Sequence, residues 1–252
     1  MSGALAGCGV VVTRPAHQAA GLVAALEAEG ARVWRFATVA IEPRPVAPPA
    51  GPWDWTVFVS PNAVAHGGAA RACAPRTAAL GPATAAALGG ADAIAPDGAG
   101  SAGLLAVPAF APPPGARVLI VRGVGGRERL AEALRARGMT VAYHEVYARR
   151  LPSADPAPLL AAWRAGALHV VTATSNATLR NLHQLLDVAG RTALATTQLV
   201  VVNGRMVETA RMLGVRTPPL VADGAADAAL VAALSRWWRD RPAAATRDPD
   251  GR

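Results

Sequence analysis

Hydrophobic positions along the chain fall into a recurring unit: a short aliphatic run, a break, a stretch with leucines four apart, and a glycine before the next aliphatic run. The clearest copies are "VVVTRPAHQAAGLVAALEAEGARV" (Val10 to Val33) and "VLIVRGVGGRERLAEALRARGMTV" (Val118 to Val141), which align without a gap at an offset of 108 residues. At that offset Arg14 falls on Arg122, Leu22 on Leu130, Leu26 on Leu134 and Gly30 on Gly138. An aliphatic run closed by Pro15 or Gly123 reads as a buried strand, the leucines as one face of a helix, and the glycine as its stop. Each copy predicts a β-α-β unit.

Further pairs follow. "VFVSPNA" (Val57 to Ala63) matches "TATSNA" (Thr172 to Ala177), and "APDGAGSAGLLA" (Ala95 to Ala106) matches "ADGAADAALVAAL" (Ala222 to Leu234). "LGPATAAALGG" (Leu80 to Gly90) and "VNGRMVETARMLG" (Val202 to Gly214) match more weakly. The middle of the chain carries these signatures in an order that is a circular permutation of the order in its outer parts. One domain is therefore expected to be inserted into another. The expected division is 1–37 with 153–240 for the outer domain, 46–142 for the inserted one, a two-stranded connecting ladder from 38–45 and 143–152, and a disordered tail at 241–252. Strands alternating with helices imply an α/β fold, a parallel sheet with helices on both faces in each domain.

Composition narrows the chemistry. All 25 basic residues are arginine, lysine is absent, and the formal net charge is +8. Without lysine there is no Walker A loop, no pyridoxal Schiff base and no lysine-imine aldolase. Arginine in place of lysine is what a GC-rich genome would encode; bidentate guanidinium groups also suit a polycarboxylate or phosphate ligand. Two cysteines and five scattered histidines have no metal-site or redox spacing, so no metal, cofactor or disulfide is expected. No long uncharged apolar stretch and no export signal are evident, which predicts a cytoplasmic protein without a membrane span. Aromatic interleaving is too sparse for a nucleic-acid surface.

Ligands of open parallel sheets gather at the carboxyl ends of strands, beside helix N-termini. The candidate binding residues are therefore Thr13 and Arg14; Ser60, Pro61, Asn62 and Ala63; Thr84; Arg122, Gly123 and Arg127; Thr174, Ser175 and Asn176; and Arg205. They would face one another if the two carboxyl edges oppose across a cleft. Ser60, Asn62, Thr174 and Asn176 also suit helix capping alone. "RGVGGRE" follows a strand, but the third glycine of a dinucleotide loop would fall on Glu128. Glu145 and Tyr147 lie on the second crossing strand, where a tyrosine serves packing or donates a proton.

Taken in order, "VTRP", "PWDWTVFVSPNAV", "LGPATAAAL", "RVLIVRGVGGRERLAEALRARG" running into "VYARR", and "TATSNATLRNL" resemble the uroporphyrinogen-III synthase family from Gly9 to about Leu234. The resemblance implies two flavodoxin-like domains joined by a two-stranded β-ladder. It also implies a cofactor-free lyase that cyclises hydroxymethylbilane, a polycarboxylate, with loss of water and inversion of the last ring. Tyr147 matches the family's cleft tyrosine and would be the catalytic residue. A monomer is expected, with transient handover of substrate from hydroxymethylbilane synthase. The family's second Gly-Pro-x-Thr turn is "NGRMVE" here, and Arg205 is the expected substitute for the missing threonine. Two other readings stay open on the residues: a non-catalytic receptor for a small anion, and a nucleotide-dependent transferase using "RGVGG".

Overall fold

The computed structural model describes residues 3–241, so most of the tail expected at 241–252 lies outside the described residues. The chain divides into two compact units, Met1–Ala40 with Leu151–Arg252, and Ile41–Arg150.

The first unit holds β1 (Gly9–Val12), α1 (Ala16–Ala28) and β2 (Arg32–Arg35). The second follows with β3 (Ala40–Pro43), β4 (Trp55–Phe58), α2 (Pro61–Gly67), a 3-10 helix at Gly68–Cys73, β5 (Arg76–Ala79), α3 (Pro82–Leu88), β6 (Ala93–Ile94), α4 (Gly100–Leu105), β7 (Arg117–Gly123), α5 (Arg129–Ala136) and β8 (Thr140–Arg150). The chain then returns to the first unit through α6 (Ala157–Arg164), β9 (Val170–Thr172), α7 (Asn176–Leu185), α8 (Val188–Thr196), β10 (Gln198–Val201), α9 (Gly204–Met212), β11 (Leu220–Val221) and α10 (Asp227–Asp240).

The sheet of the first unit runs β11-β10-β9-β1-β2, every pair parallel. Its central strands β1, β9 and β10 are fully buried and feed two cores by alternation, while the edge strands β2 and β11 are half-buried to exposed. Val11, Val171, Leu199 and Val201 pack one face with Leu179, Leu182 and Met206, while Val10, Val12, Val170 and Val200 pack the other with Leu22, Leu26 and Leu230. Counted from β1, the strand order is that of a flavodoxin-like doubly wound sheet, 2-1-3-4-5.

The second unit runs β3-β8-β7-β4-β5-β6. Counting from β7, its five parallel strands have the same 2-1-3-4-5 order, with β3 added at the edge beside β8. The permuted repeats thus correspond to permuted strands of one topology. β1-α1-β2 and β7-α5-β8 are the two copies of the unit found first in the sequence. Residues 38–45 and 143–152, expected to pair as a two-stranded ladder, place β3 beside the end of β8 at the edge of the second unit's sheet: β8 runs unbroken from Thr140 to Arg150, and the Arg44 amide donates to the Val146 carbonyl at 2.8 Å. No helix among the described residues is long and apolar enough to cross a membrane.

Candidate functional site

In each sheet the strand order reverses beside the first-counted strand, and the crevice at the carboxyl end of that point is where such folds bind ligands. In the first unit it lies between β1 and β9; in the second, between β7 and β4.

At the first crevice the hydroxyls are occupied. Thr13 is fully buried and donates to the Thr172 carbonyl at 2.6 Å, and the Thr172 hydroxyl donates to the Val11 carbonyl at 3.0 Å. Arg14, expected to take a ligand carboxylate, is held by Asp227 and the Ala225 carbonyl at the start of α10. Thr174, Ser175 and Asn176 are half-buried. Ser175 caps α7, accepting from the Thr178 amide at 3.1 Å, and its Oγ meets the Thr178 hydroxyl at 2.8 Å. The Asn176 carboxamide oxygen has no hydrogen-bond partner among the described residues. On α9, Asn203 caps through its carboxamide oxygen to the Met206 amide at 3.2 Å, and Arg205 is exposed on the first turn.

The second crevice is built differently. Ser60 sits at the end of β4 in extended conformation and caps α2, accepting from the Ala63 amide at 3.2 Å, while Pro61 fills the first helical position, where no amide is missed. Asn62 and Ala63 are buried, and Thr84 is buried in α3. Arg122 is the repeat counterpart of Arg14 and is likewise consumed. It donates to Glu128 at 2.7 Å, to Glu145 at 3.1 and 3.2 Å and to the Gly126 carbonyl, and it lies 3.6 Å from the centroid of the Tyr143 ring. Burial alone would loosen its proton, but the hydrogen bonds to Glu128 and Glu145 outweigh that and raise its pKa. Glu128, bound by the Tyr143 hydroxyl and by Arg122, is held below the usual carboxylate range. Arg127 is exposed. A cavity of about 290 Å³ lies beside this network, bordered by Arg44, Tyr143, His144 and Glu145 among others. Its Arg44 and Glu145 are paired to each other at 3.6 Å.

Glu145 and Tyr147, expected to line the site together, point to opposite faces of the sheet. Arg122 pairs with Glu145 but Gly123 pairs with Tyr147, so Val146 is an extra residue on β8. Such a bulge reverses the alternation beyond it. Tyr143 accordingly packs in one core of the unit and Tyr147 in the other.

The bulge sends the Tyr147 ring across the end of β7. A Cβ at Gly123 would lie 2.5 Å from the ring's Cε2 and 2.6 Å from its Cζ, so the absence of a side chain there is what lets the ring pass. The Tyr147 hydroxyl thereby reaches Ser60 Oγ at 3.2 Å and accepts from Arg149 Nη2 at 3.0 Å. The ring is 1% exposed, among Phe58, Leu119, Val121 and Val146. Arg149 was not among the candidates from sequence, although its signal was there: two residues after Tyr147 on a strand, it must share that tyrosine's face. The arrangement is a phenol anchored by two side chains at a helix start. Among the described residues no cluster of histidine, cysteine or carboxylate side chains could hold a metal.

Comparison with known proteins agrees with the fold. The family model described as uroporphyrinogen-III synthase HemD matches residues 20–232. The uroporphyrinogen-III synthase of Salmonella typhimurium is 33% identical over 244 residues, covering 89% of this chain and 99% of the relative. The uroporphyrinogen-III synthetase structure from Helicobacter pylori is 16% identical, covers 91% of this chain and 99% of its own, and superposes with a TM-score of 0.55. A mutant uroporphyrinogen III synthase structure from Thermus thermophilus is 19% identical, with 92% and 98% covered and a TM-score of 0.53.

Proposed function

The chain belongs to the uroporphyrinogen-III synthase family, and we propose that Tyr147 is the residue through which it performs that family's reaction. The activity is the cyclisation of hydroxymethylbilane to uroporphyrinogen III, a step of tetrapyrrole and haem biosynthesis. The observation that carries the role of Tyr147 is its hydroxyl, held between Ser60 and Arg149 at the carboxyl edge of the sheet.

In this reading Tyr147 gives its proton to the hydroxyl of the substrate as the carbon–oxygen bond breaks, and water departs. Electrons from the pyrrole nitrogen fill the gap, leaving an azafulvene that keeps its N–H and carries the positive charge. The substituted carbon of ring D attacks it to form a spiro intermediate; the bond from that carbon to the methylene on ring C then breaks, and the free α-carbon of ring D attacks that methylene and closes the macrocycle. That carbon then loses a proton, which can return to the tyrosinate. Atoms and protons balance with water as the sole by-product. No redox partner is required, and the demand beyond one proton is for holding the two ends of a flexible chain together.

The substrate carries eight carboxylates. Helix starts suit carboxylates in each unit taken by itself: the one capped by Ser60 in the second unit, and those capped by Ser175 and Asn203 in the first. The exposed Arg127 and Arg205 add charge. Arg14 and Arg122 hold the scaffold instead, because protein carboxylates already neutralise them. We place the enzyme in the cytoplasm as a monomer that receives hydroxymethylbilane by brief handover, since free substrate closes spontaneously to the type I isomer.

The test uses enzymatically generated hydroxymethylbilane, with the porphyrin isomers separated after oxidation. The wild type should yield type III, and Tyr147→Phe should lower kcat by about a hundredfold or more. Type I alone from the wild type would overturn the activity. A Tyr147→Phe variant at nearly full rate would overturn only the assignment of the acid.

A further inference from the structure

We propose that Arg149 is a positioning residue for the reaction: it holds the Tyr147 oxygen as a hydrogen-bond acceptor, so that the phenolic proton is left for the substrate's departing hydroxyl. The inference rests on the reading of Tyr147 as the acid.

A guanidinium can only donate, so at 3.0 Å the Tyr147 oxygen must be the acceptor. Either oxygen of the Ser60–Tyr147 contact at 3.2 Å can donate; in this reading Ser60, whose Oγ accepts the Ala63 amide as the cap of α2, gives its proton to Tyr147. With both partners donating, the phenol oxygen is filled as an acceptor and its O–H is turned away from both. When the proton leaves with the substrate's hydroxyl as water, the new tyrosinate already faces two donors, one of them charged. Hydrogen bonds to a charged group are roughly twice as strong as neutral ones. The contact with Arg149 therefore tightens as the reaction proceeds, which raises kcat and leaves ground-state binding alone.

The surroundings of Arg149 separate it from the protein's structural arginines. Arg14 and Arg122 are neutralised by buried or half-buried ion pairs. Arg150, one residue on, faces the other way and pairs with Glu42 at 3.2 Å. Arg149 has no ion pair with a carboxylate among the described residues; its partners are the hydroxyl of Tyr147 and the ring, whose centroid lies 5.3 Å from the guanidinium carbon.

The experiment compares Arg149→Gln and Arg149→Lys, each alone and combined with Tyr147→Phe, in hydroxymethylbilane turnover, with thermal unfolding measured on all. Loss of a charged donor to a developing charge costs on the order of a hundredfold, so Arg149→Gln, whose amide is neutral and too short to reach the phenol oxygen, should lose about that in kcat with KM nearly unchanged. Arg149→Lys, which keeps charge and donor, should recover part of the loss. Added to Tyr147→Phe, the glutamine should cost nothing more, because the group it positions is gone. A raised KM with kcat retained would overturn the proposal, since it would make Arg149 a carboxylate clamp. An equal loss with and without Tyr147, or no advantage of lysine over glutamine, would also overturn it. A crippled Tyr147→Phe beside a fully active Arg149→Gln would sink the role of Arg149 alone, whereas an active Tyr147→Phe would sink the reading beneath it.

Discussion

Gly123 offers a way to move the Tyr147 hydroxyl without touching its chemistry. In Gly123→Ala the added Cβ would lie 2.5, 2.6 and 3.0 Å from Cε2, Cζ and Cδ2 of the ring. Carbon atoms rest at about 3.5–4.0 Å, so the ring must retreat by roughly 1 Å. It has nowhere to go cheaply, being enclosed by Phe58, Val121 and Val146. Overpacking of this kind costs about 1–3 kcal/mol, and hydrogen bonds now at 3.0 and 3.2 Å would stretch out of range. A misplacement of about 1 Å at a reacting group is worth on the order of a hundredfold in rate. Gly123→Ala should therefore approach Tyr147→Phe in kcat while remaining folded, its melting temperature lowered by a few degrees. Gly68→Ala is the control, since it sits in helical conformation with open space where the Cβ would go. The assay is hydroxymethylbilane turnover with isomer separation, alongside thermal unfolding. A folded Gly123→Ala enzyme at wild-type kcat would refute the claim that the position of the ring matters.

Two further outcomes concern the scaffold. Burial holds His144, His169 and His183 below their ordinary value of about 6.5, with Arg241 adding to the effect at His169 and Arg191 at His183. Below that pH the unfolded chain binds protons that the folded chain refuses, so stability should be complete above about pH 6.5 and decline beneath it; urea midpoints that coincide at about pH 5.5 and 7.5 would contradict this. Burial pushes the Cys8 thiol up to about 12, although Arg241 opposes it, whereas Cys73 is partly exposed. A thiol reagent should titrate one cysteine in the native protein and two after denaturation.

The topology was legible because it rests on repeated local patterns. Aliphatic runs, leucine spacing and the order of the turn signatures suffice to give two permuted copies of one strand order. What escaped was everything that depends on distant partners or on a single inserted residue. Arg14 and Arg122 read as ligand-binding residues because their neutralising carboxylates are found only by folding: Asp227 is 213 residues from Arg14, and Glu145 is 23 from Arg122. The bulge at Val146 leaves no trace in composition, yet it decides which face Tyr147 occupies. Strict alternation would have grouped Tyr143, Glu145 and Tyr147. Arg149 could have been found from Tyr147 by the same alternation, which holds again beyond the bulge.

The two copies of the β-α-β unit share a scaffold, but only one carries the phenol, and three positions account for the difference. At the offset of 108, Gly123 corresponds to Pro15, Tyr147 to Val39 and Arg149 to Ile41. In the first unit β2 stops at Arg35, whereas its counterpart β8 continues to Arg150 and carries Tyr147 and Arg149 with it. Even the serine caps match: Ser60 accepts from Ala63 and Ser175 from Thr178 in the same geometry. With no phenol facing it, Ser175 turns to the Thr178 hydroxyl instead. The cap is a property of the fold, and in one copy an extended strand, a bulge and a glycine bring a phenol to it. A tyrosine placed at Val39 would therefore not be held at the Ser175 cap as Tyr147 is at Ser60, because Pro15 occupies the position where the ring must cross and Ile41 offers no donor to hold its oxygen.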